Sequence, residues 1–125
     1  MVTIDEAHDL LDEVAQELPE EFWEGLNGGV SLLPQSKRSP EARADDLYVL
    51  GEYRIDPALG RYINIYYGSF QRLFGDIPPQ RLKKKLRKTL FHEFTHHVES
   101  LAGERGLEIK DAEQMARYLR SHGEG

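Results

Sequence analysis

The chain has 125 residues, of which 39% are hydrophobic and 30% are charged, and its formal net charge at pH 7 is −6. This length predicts a single domain over residues 1–125, and the composition excludes a wholly disordered chain. The acidic balance argues against nucleic acid as a partner, because phosphate binding depends on clustered Lys and Arg. Cysteine is absent, so any transition metal has to be held by His, Asp or Glu.

The N-terminal residues do not have the pattern of a targeting segment. Residues 1–6 lack the basic start that precedes the apolar core of a signal peptide. No stretch approaches the roughly 18 consecutive apolar residues that span a bilayer. We therefore expect a cytoplasmic protein with no membrane partner. The sequence leaves the oligomeric state open.

The first half of the chain contains helical and strand patterns. They predict a helix over 3–18, a short helical piece over 20–26, a strand over 30–33 and a mobile surface loop over 34–46. Thr3 and Glu6 match a capping box, in which each side chain accepts a hydrogen bond from the other residue's backbone N–H. Pro19 then ends the helical pattern.

The second half predicts a hairpin followed by three helices. The hairpin strands are expected over 47–55 and 61–67, and the helices over 68–74, 80–102 and 111–120. The five residues between the strands contain a Pro and a Gly, as hairpin connections do. Gly103 and Gly106 are expected to end the long helix. The fold class is therefore α+β, with a short antiparallel or mixed sheet packed on one long helix.

The long helix carries the pattern H-E-x-x-H at His92, Glu93 and His96. Two His four residues apart lie on one face of a helix, so both imidazoles can reach one zinc ion, with the Glu beside a metal-activated water. Apolar residues of the same helix form one arc on a helical wheel: Leu82, Leu86, Leu90, Phe94, Val98 and Leu101. The two histidines fall about 40° beyond one edge of that arc, where a cleft is expected. His97 points into the arc and predicts a buried, hydrogen-bonded histidine.

Taken together, several segments resemble the minimal, single-domain zincin-like metallopeptidases of bacteria. They are the acidic Leu18-Pro19-Glu20-Glu21-Phe22, the strand pattern over 61–68 with the Leu73-Phe74 that follows, and above all the His-Glu-Phe-Thr-His-His core at 92–97. The resemblance implies a small zincin-like domain in which a strand of this kind leads to the active-site helix. It also implies one zinc ion per chain, bound by the first and fifth residues of that core.

The third zinc ligand is where the chain departs from the family pattern. Many members continue as H-E-x-x-H-x-x-G-x-x-D, but Glu99 and Ala102 stand where the Gly and the Asp are expected. Glu99 shares the face of the histidines but lies roughly 7.5 Å further along the axis. A ligand on returning chain is favoured, and Asp111, in a context similar to the acidic end of a lengthened family motif, is the predicted third ligand. Asp111 also matches an N-capping box, and Glu99, Glu104 and Glu108 remain alternatives.

These features predict a zinc-dependent peptidase that hydrolyses peptide bonds of a peptide or protein through a metal-activated water, with Glu93 as the general base. By analogy with the family, the substrate is expected as an added strand beside residues 61–67. The second oxyanion donor stays open among Tyr62, Tyr66, Tyr67, Tyr118 and Arg120. The alternative is a non-catalytic, zinc-stabilised protein-binding module, although a structural site has no need of a base beside its metal.

Overall fold

The computed structural model describes residues 2–39, 47–104 and 108–123. Within these ranges the chain forms four α-helices and three strands: α1 (Ile4–Ala15), β1 (Gly29–Leu33), β2 (Gly51–Asp56), β3 (Gly60–Tyr66), α2 (Tyr67–Phe74), α3 (Pro79–Glu104) and α4 (Ile109–Gly123). A short 3-10 helix, Glu20–Trp23, follows α1. The predicted α+β class is confirmed. Among the helices so described, none is both long enough and apolar enough to cross a membrane.

The three strands form one mixed sheet in the order β1-β3-β2. β2 and β3 are antiparallel, as the predicted hairpin requires, and β1 runs parallel to β3 on its other side. The central strand β3 is the most buried, and Ile63 and Ile65 are fully buried. Because both edges of β3 are already paired, a peptide cannot add beside it. The predicted substrate position along residues 61–67 is therefore wrong, and an edge strand has to be considered instead.

The ends of the predicted loop over 34–46 pair with the chain on its far side. Val49 N–H donates to the Lys37 carbonyl at 2.7 Å, and Ser39 N–H donates to the Leu47 carbonyl at 3.0 Å. Arg38 and Tyr48 form an antiparallel bridge between these two bonds. The residues before Gly51 therefore form this small pairing instead of the regular strand predicted from 47 onward. Residues 40–46 lie outside the described residues.

The helices differ from the prediction mainly at their ends. Both capping-box hydrogen bonds of α1 are present, each at 3.1 Å. The helix ends at Ala15 rather than at Leu18, because the Glu17 and Leu18 N–H groups donate three residues back, to Val14 and Ala15, instead of four. Leu18 is still buried, so the apolar pattern was correct about burial there and wrong about the helix end.

Helix α3 lies at the centre of the packing and contacts α1, α4, β2 and β3. All six residues of its predicted apolar arc are buried. α4 returns along α3, because Gly123 at its end lies against the ring of Phe91. One side of α3 remains open between the end of α4 and the start of β2, and this side carries His92 and His96.

Candidate metal centre

The imidazoles of His92 and His96 converge on the open side of α3. Their Nε2 atoms lie 3.2 Å apart. Two nitrogens bound tetrahedrally to one zinc at about 2.05 Å would be separated by about 3.3 Å, so the pair already has the spacing that a zinc ion requires. Burial lowers the pKa of His92, His96 lowers it further, and Glu99 opposes the shift. The lowered pKa favours the neutral imidazole, which is the form that binds a metal.

Glu93 lies between the two histidines in sequence but is only 7% exposed, whereas both histidines are exposed. Burial raises the pKa of the Glu93 carboxyl and nearby Glu52 adds to the rise, while His96 and a hydrogen bond from the backbone N–H of Tyr53 oppose it. A raised pKa brings a carboxyl closer to the range in which it both takes up and releases protons near neutral pH. The environment of Glu93 therefore suits a general base.

Two depressions of the surface meet at Glu93 and His96. The first, a cleft of about 570 Å³, is lined by α3, by the end of α4 and by the residues leading into β2. The second, of about 560 Å³, runs along β2 toward Ile55 and Ser100. Gly51, Glu93 and His96 line both. A ligand that extends through both depressions would pass directly over the carboxyl and the imidazole.

His97, one turn after Glu93, is fully buried and belongs to a hydrogen-bonded group, as predicted. Its Nε2 lies 2.8 Å from the Glu24 carbonyl oxygen, and its Nδ1 lies 2.9 Å from the Tyr53 hydroxyl. A carbonyl oxygen only accepts, so Nε2 carries the proton and Nδ1 accepts from the phenol. Sequence spacing predicted the burial of His97 but not its partners.

Tyr53 and Arg61 connect the sheet to α3. Arg61 is 6% exposed, and its Nη1 donates to the Tyr53 hydroxyl at 2.8 Å and to the Ser100 hydroxyl. Its Nη2 donates to Glu104 at 2.6 Å. Tyr53 thus binds α3 through its hydroxyl at His97, and its backbone N–H lowers the pKa of Glu93, one turn earlier on the helix. Tyr53 is the site residue that the motif could not identify, because its contribution depends on the packing of a distant strand.

The structure does not bring Asp111 to the two histidines. Asp111 is exposed in the first turn of α4 and does not line either depression. Of the alternatives, Glu99 lines the cleft beside both histidines, whereas Glu104 is bonded to Arg61. Across the described ranges, no Asp or Glu joins the histidine pair in a group whose ligand atoms all lie within 4.8 Å of one another.

One other group has metal-ligand spacing, and it lies on α1. His8, Asp9 and Asp12 are exposed, with His8 Nδ1 3.3 Å from Asp12 Oδ2. These side chains are neighbours on one helical turn and border no cleft among those described. Exposed groups of this kind are frequent on helices. A test of metal binding therefore has to distinguish this trio from the histidine pair.

Of the five candidate oxyanion donors, Arg120 is the one that lines the cleft. The hydroxyls of Tyr66 and Tyr67 donate to Glu52 and to the Val2 carbonyl, so both are engaged elsewhere. Tyr118 stacks on His122 with the ring centroids 3.9 Å apart. The hydroxyls of Tyr66 and Tyr67 therefore have internal structural roles in this fold.

The comparisons with known proteins place the chain beside one solved structure. A conserved hypothetical protein from Thermus thermophilus is 35% identical to this chain, with a TM-score of 0.70. The match covers 81% of this chain and 98% of that protein. The two proteins belong to one family. The name of that family member states no activity. No protein-family model matches the sequence, and no curated protein matches it.

We expect Tyr53→Phe to destabilise the fold by about 1–3 kcal/mol, because it removes the hydroxyl that bonds buried His97 and Arg61. Urea unfolding measures the change. Tyr62→Phe on the adjacent strand is the matched control, since the Tyr62 hydroxyl has no hydrogen-bond partner among the described residues, and a change within about 0.5 kcal/mol is expected there. Equal effects of the two substitutions would contradict the role assigned to Tyr53.

Proposed function

We propose that this protein is a zinc-dependent peptidase of the zincin type, with His92 and His96 as zinc ligands and Glu93 as the general base. The observation that carries the proposal is the 3.2 Å separation of the two Nε2 atoms, at the wall of a cleft that the Glu93 carboxyl also lines. A chelating pair without a neighbouring base would suit a structural site equally well. The buried carboxyl is what favours hydrolysis.

The chemistry assigns one task to each group. When bound, zinc lowers the pKa of a coordinated water to about 7 and polarises a carbonyl group. Glu93 takes a proton from the attacking water on a carboxylate oxygen as the new carbon–oxygen bond forms at the peptide carbonyl. Glu93 then gives that proton to the amide nitrogen as the carbon–nitrogen bond breaks. The backbone N–H of Tyr53 lowers the pKa of the Glu93 carboxyl, which favours the carboxylate form that accepts the first proton.

We propose that the substrate chain lies along the outer edge of β2. Tyr66 N–H donates to the Leu50 carbonyl at 2.9 Å. Along an antiparallel pair, residues whose backbone groups bond the partner strand alternate with residues whose backbone groups point away from it. Gly51 and Tyr53 therefore direct their backbone N–H and C=O groups away from β3, toward α3 and the two depressions. An extended peptide can add main-chain hydrogen bonds at such an edge. This placement replaces the one predicted beside β3.

The first test is metal content. We expect the wild-type chain to retain one zinc ion after reloading and dialysis, measured by elemental analysis. His92→Ala and His96→Ala should each weaken zinc binding by at least about 10-fold, because each removes one of the ligands that chelate the ion. His8→Ala is the matched control, and it also tests the exposed trio on α1. Zinc lost in His8→Ala and retained in the other two variants would overturn the site.

For the third ligand we propose Glu99, since it lines the same cleft as the histidine pair, while Asp111 lies outside it. In competition with a chromophoric chelator, Glu99→Ala is expected to weaken zinc binding more than Asp111→Ala does. Both carboxylates are exposed, so neither substitution should change the folded state greatly, and urea unfolding would verify this. The opposite order of affinities would restore Asp111 as the ligand, as the sequence predicts.

The test of catalysis is Glu93→Gln, which keeps the size of the side chain and removes its basicity. Zinc occupancy should be retained while peptide cleavage falls by about 100- to 10,000-fold, as for loss of a general base. Cleavage is measured on broad peptide libraries, with Glu113→Gln, an exposed position on α4, as the matched control. A wild-type chain that binds zinc, requires it for folding and cleaves no library peptide would support the zinc-stabilised binding module instead.

A further inference from the structure

The larger cleft beside His92 has an apolar base and a charged rim. Phe91 and Leu119, each 1% exposed, contribute to its base together with Leu50 from the segment before β2. Its volume of about 570 Å³ is in the usual range for ligand sites. Lys88 and Arg120 also line it, from α3 and from the last turns of α4. The cleft therefore offers apolar contact and positive charge to the same ligand.

Lys88 and Arg120 have no ion-pair partner among the residues that the structure describes. Two other basic residues of α3 do have ion-pair partners. Lys83 lies 3.8 Å from Glu13 on α1, and Arg87 lies 2.7 Å from Glu17, just after α1. Lys83 and Arg87 are thus paired with the N-terminal segment, whereas Lys88 faces the cleft. In a chain with net charge −6, cations left unpaired at a cleft attract an anionic ligand.

The carboxylates of the cleft lie further along α3. Glu93 and Glu99 are five and eleven residues beyond Lys88, which corresponds to about 7.5 and 16 Å along the helix axis. Arg120 lies about one turn before Gly123, which contacts Phe91, so Lys88 and Arg120 line the cleft at different levels along α3. A ligand carboxylate would be attracted to the two cations and repelled from Glu93 and Glu99, so these charges favour some positions of a bound acidic group over others.

We propose that the two cations on the wall of this cleft, Lys88 and Arg120, bind a carboxylate of the substrate, and that these two residues determine specificity for it. The proposal rests on the proposed peptidase function for the peptide nature of the ligand. The carboxylate belongs either to an Asp or Glu side chain or to the free C-terminus of the peptide. The apolar base formed by Phe91, Leu119 and Leu50 contacts the hydrocarbon part of the same residue.

The experiment measures binding without turnover, using the full-length Glu93→Gln chain loaded with zinc and fluorescent peptides of one sequence in three forms. The forms carry a Glu with an amidated C-terminus, a Gln with an amidated C-terminus, and a Gln with a free C-terminus. We expect an acidic form to bind about 3- to 10-fold more tightly than the neutral form, with an advantage that shrinks as salt is raised. Tighter binding of the Glu form identifies a side-chain carboxylate, and tighter binding of the form with a free C-terminus identifies the terminal carboxylate.

Substitutions then test whether Lys88 and Arg120 supply the higher affinity of the acidic peptide. In the same background, Arg120→Gln and Lys88→Gln should each reduce the acidic advantage, and the double substitution should remove most of it, with the affinity for the neutral peptide kept within about 2-fold. Arg117→Gln, an exposed arginine on α4 that does not line the cleft, is the matched control. The advantage should persist in zinc-free protein, because the cations supply it.

Three results would overturn the proposal. Equal binding of all three peptide forms removes the carboxylate site and leaves the peptidase function standing. An acidic advantage that survives both substitutions and disappears without zinc shows that the metal, and not Lys88 or Arg120, binds the carboxylate. Absence of binding by every peptide, in a chain that holds zinc, contradicts the proposed function as well.

Discussion

The hydrogen bond between the Tyr53 hydroxyl and His97 holds the sheet against α3, and the geometry of the candidate site depends on it. The phenol belongs to an edge strand, and the imidazole belongs to α3, the helix that carries His92 and His96. Arg61 completes the contact from the central strand. Among the described residues, no buried side-chain nitrogen or oxygen lacks a hydrogen-bond partner. A buried arginine and a buried histidine are therefore tolerated inside this interface because their polar atoms are bonded.

The same packing sets the electrostatics of the site. Burial raises the pKa of Glu93 and lowers the pKa of His92, so it favours the uncharged form of both groups. Uncharged imidazole is ready to bind a metal, whereas a protonated carboxyl is not a base. A divalent cation nearby would favour the ionised carboxylate again, since opposite charge lowers the pKa of an acid. In the proposed site, metal occupancy and the basicity of Glu93 would thus be linked.

The sequence was informative where structure follows from local spacing. The capping box at Thr3, the buried arc of α3 and the shared face of His92 and His96 all depend on residues within one helix, and each is present. Contacts between distant segments could not be read from such patterns. The parallel pairing of β1 with β3 is one example, and it changes which strand is open to a substrate. The approach of Tyr53 N–H to Glu93 is another, since no motif marks a backbone group on a distant strand.

The two parts of the site differ in how far apart their residues lie in the chain. His92 and His96 are separated by four positions on one helix, so their spacing requires only that this stretch of α3 is helical. Glu93 and Tyr53 are forty positions apart, and their contact requires the sheet to be docked. Local helical contacts form early in folding and survive partial unfolding better than long-range strand contacts do. During synthesis or under mild denaturation, the spacing of His92 and His96 therefore forms before the environment of Glu93, so on the proposed function a partly folded chain would bind zinc before it could hydrolyse a peptide.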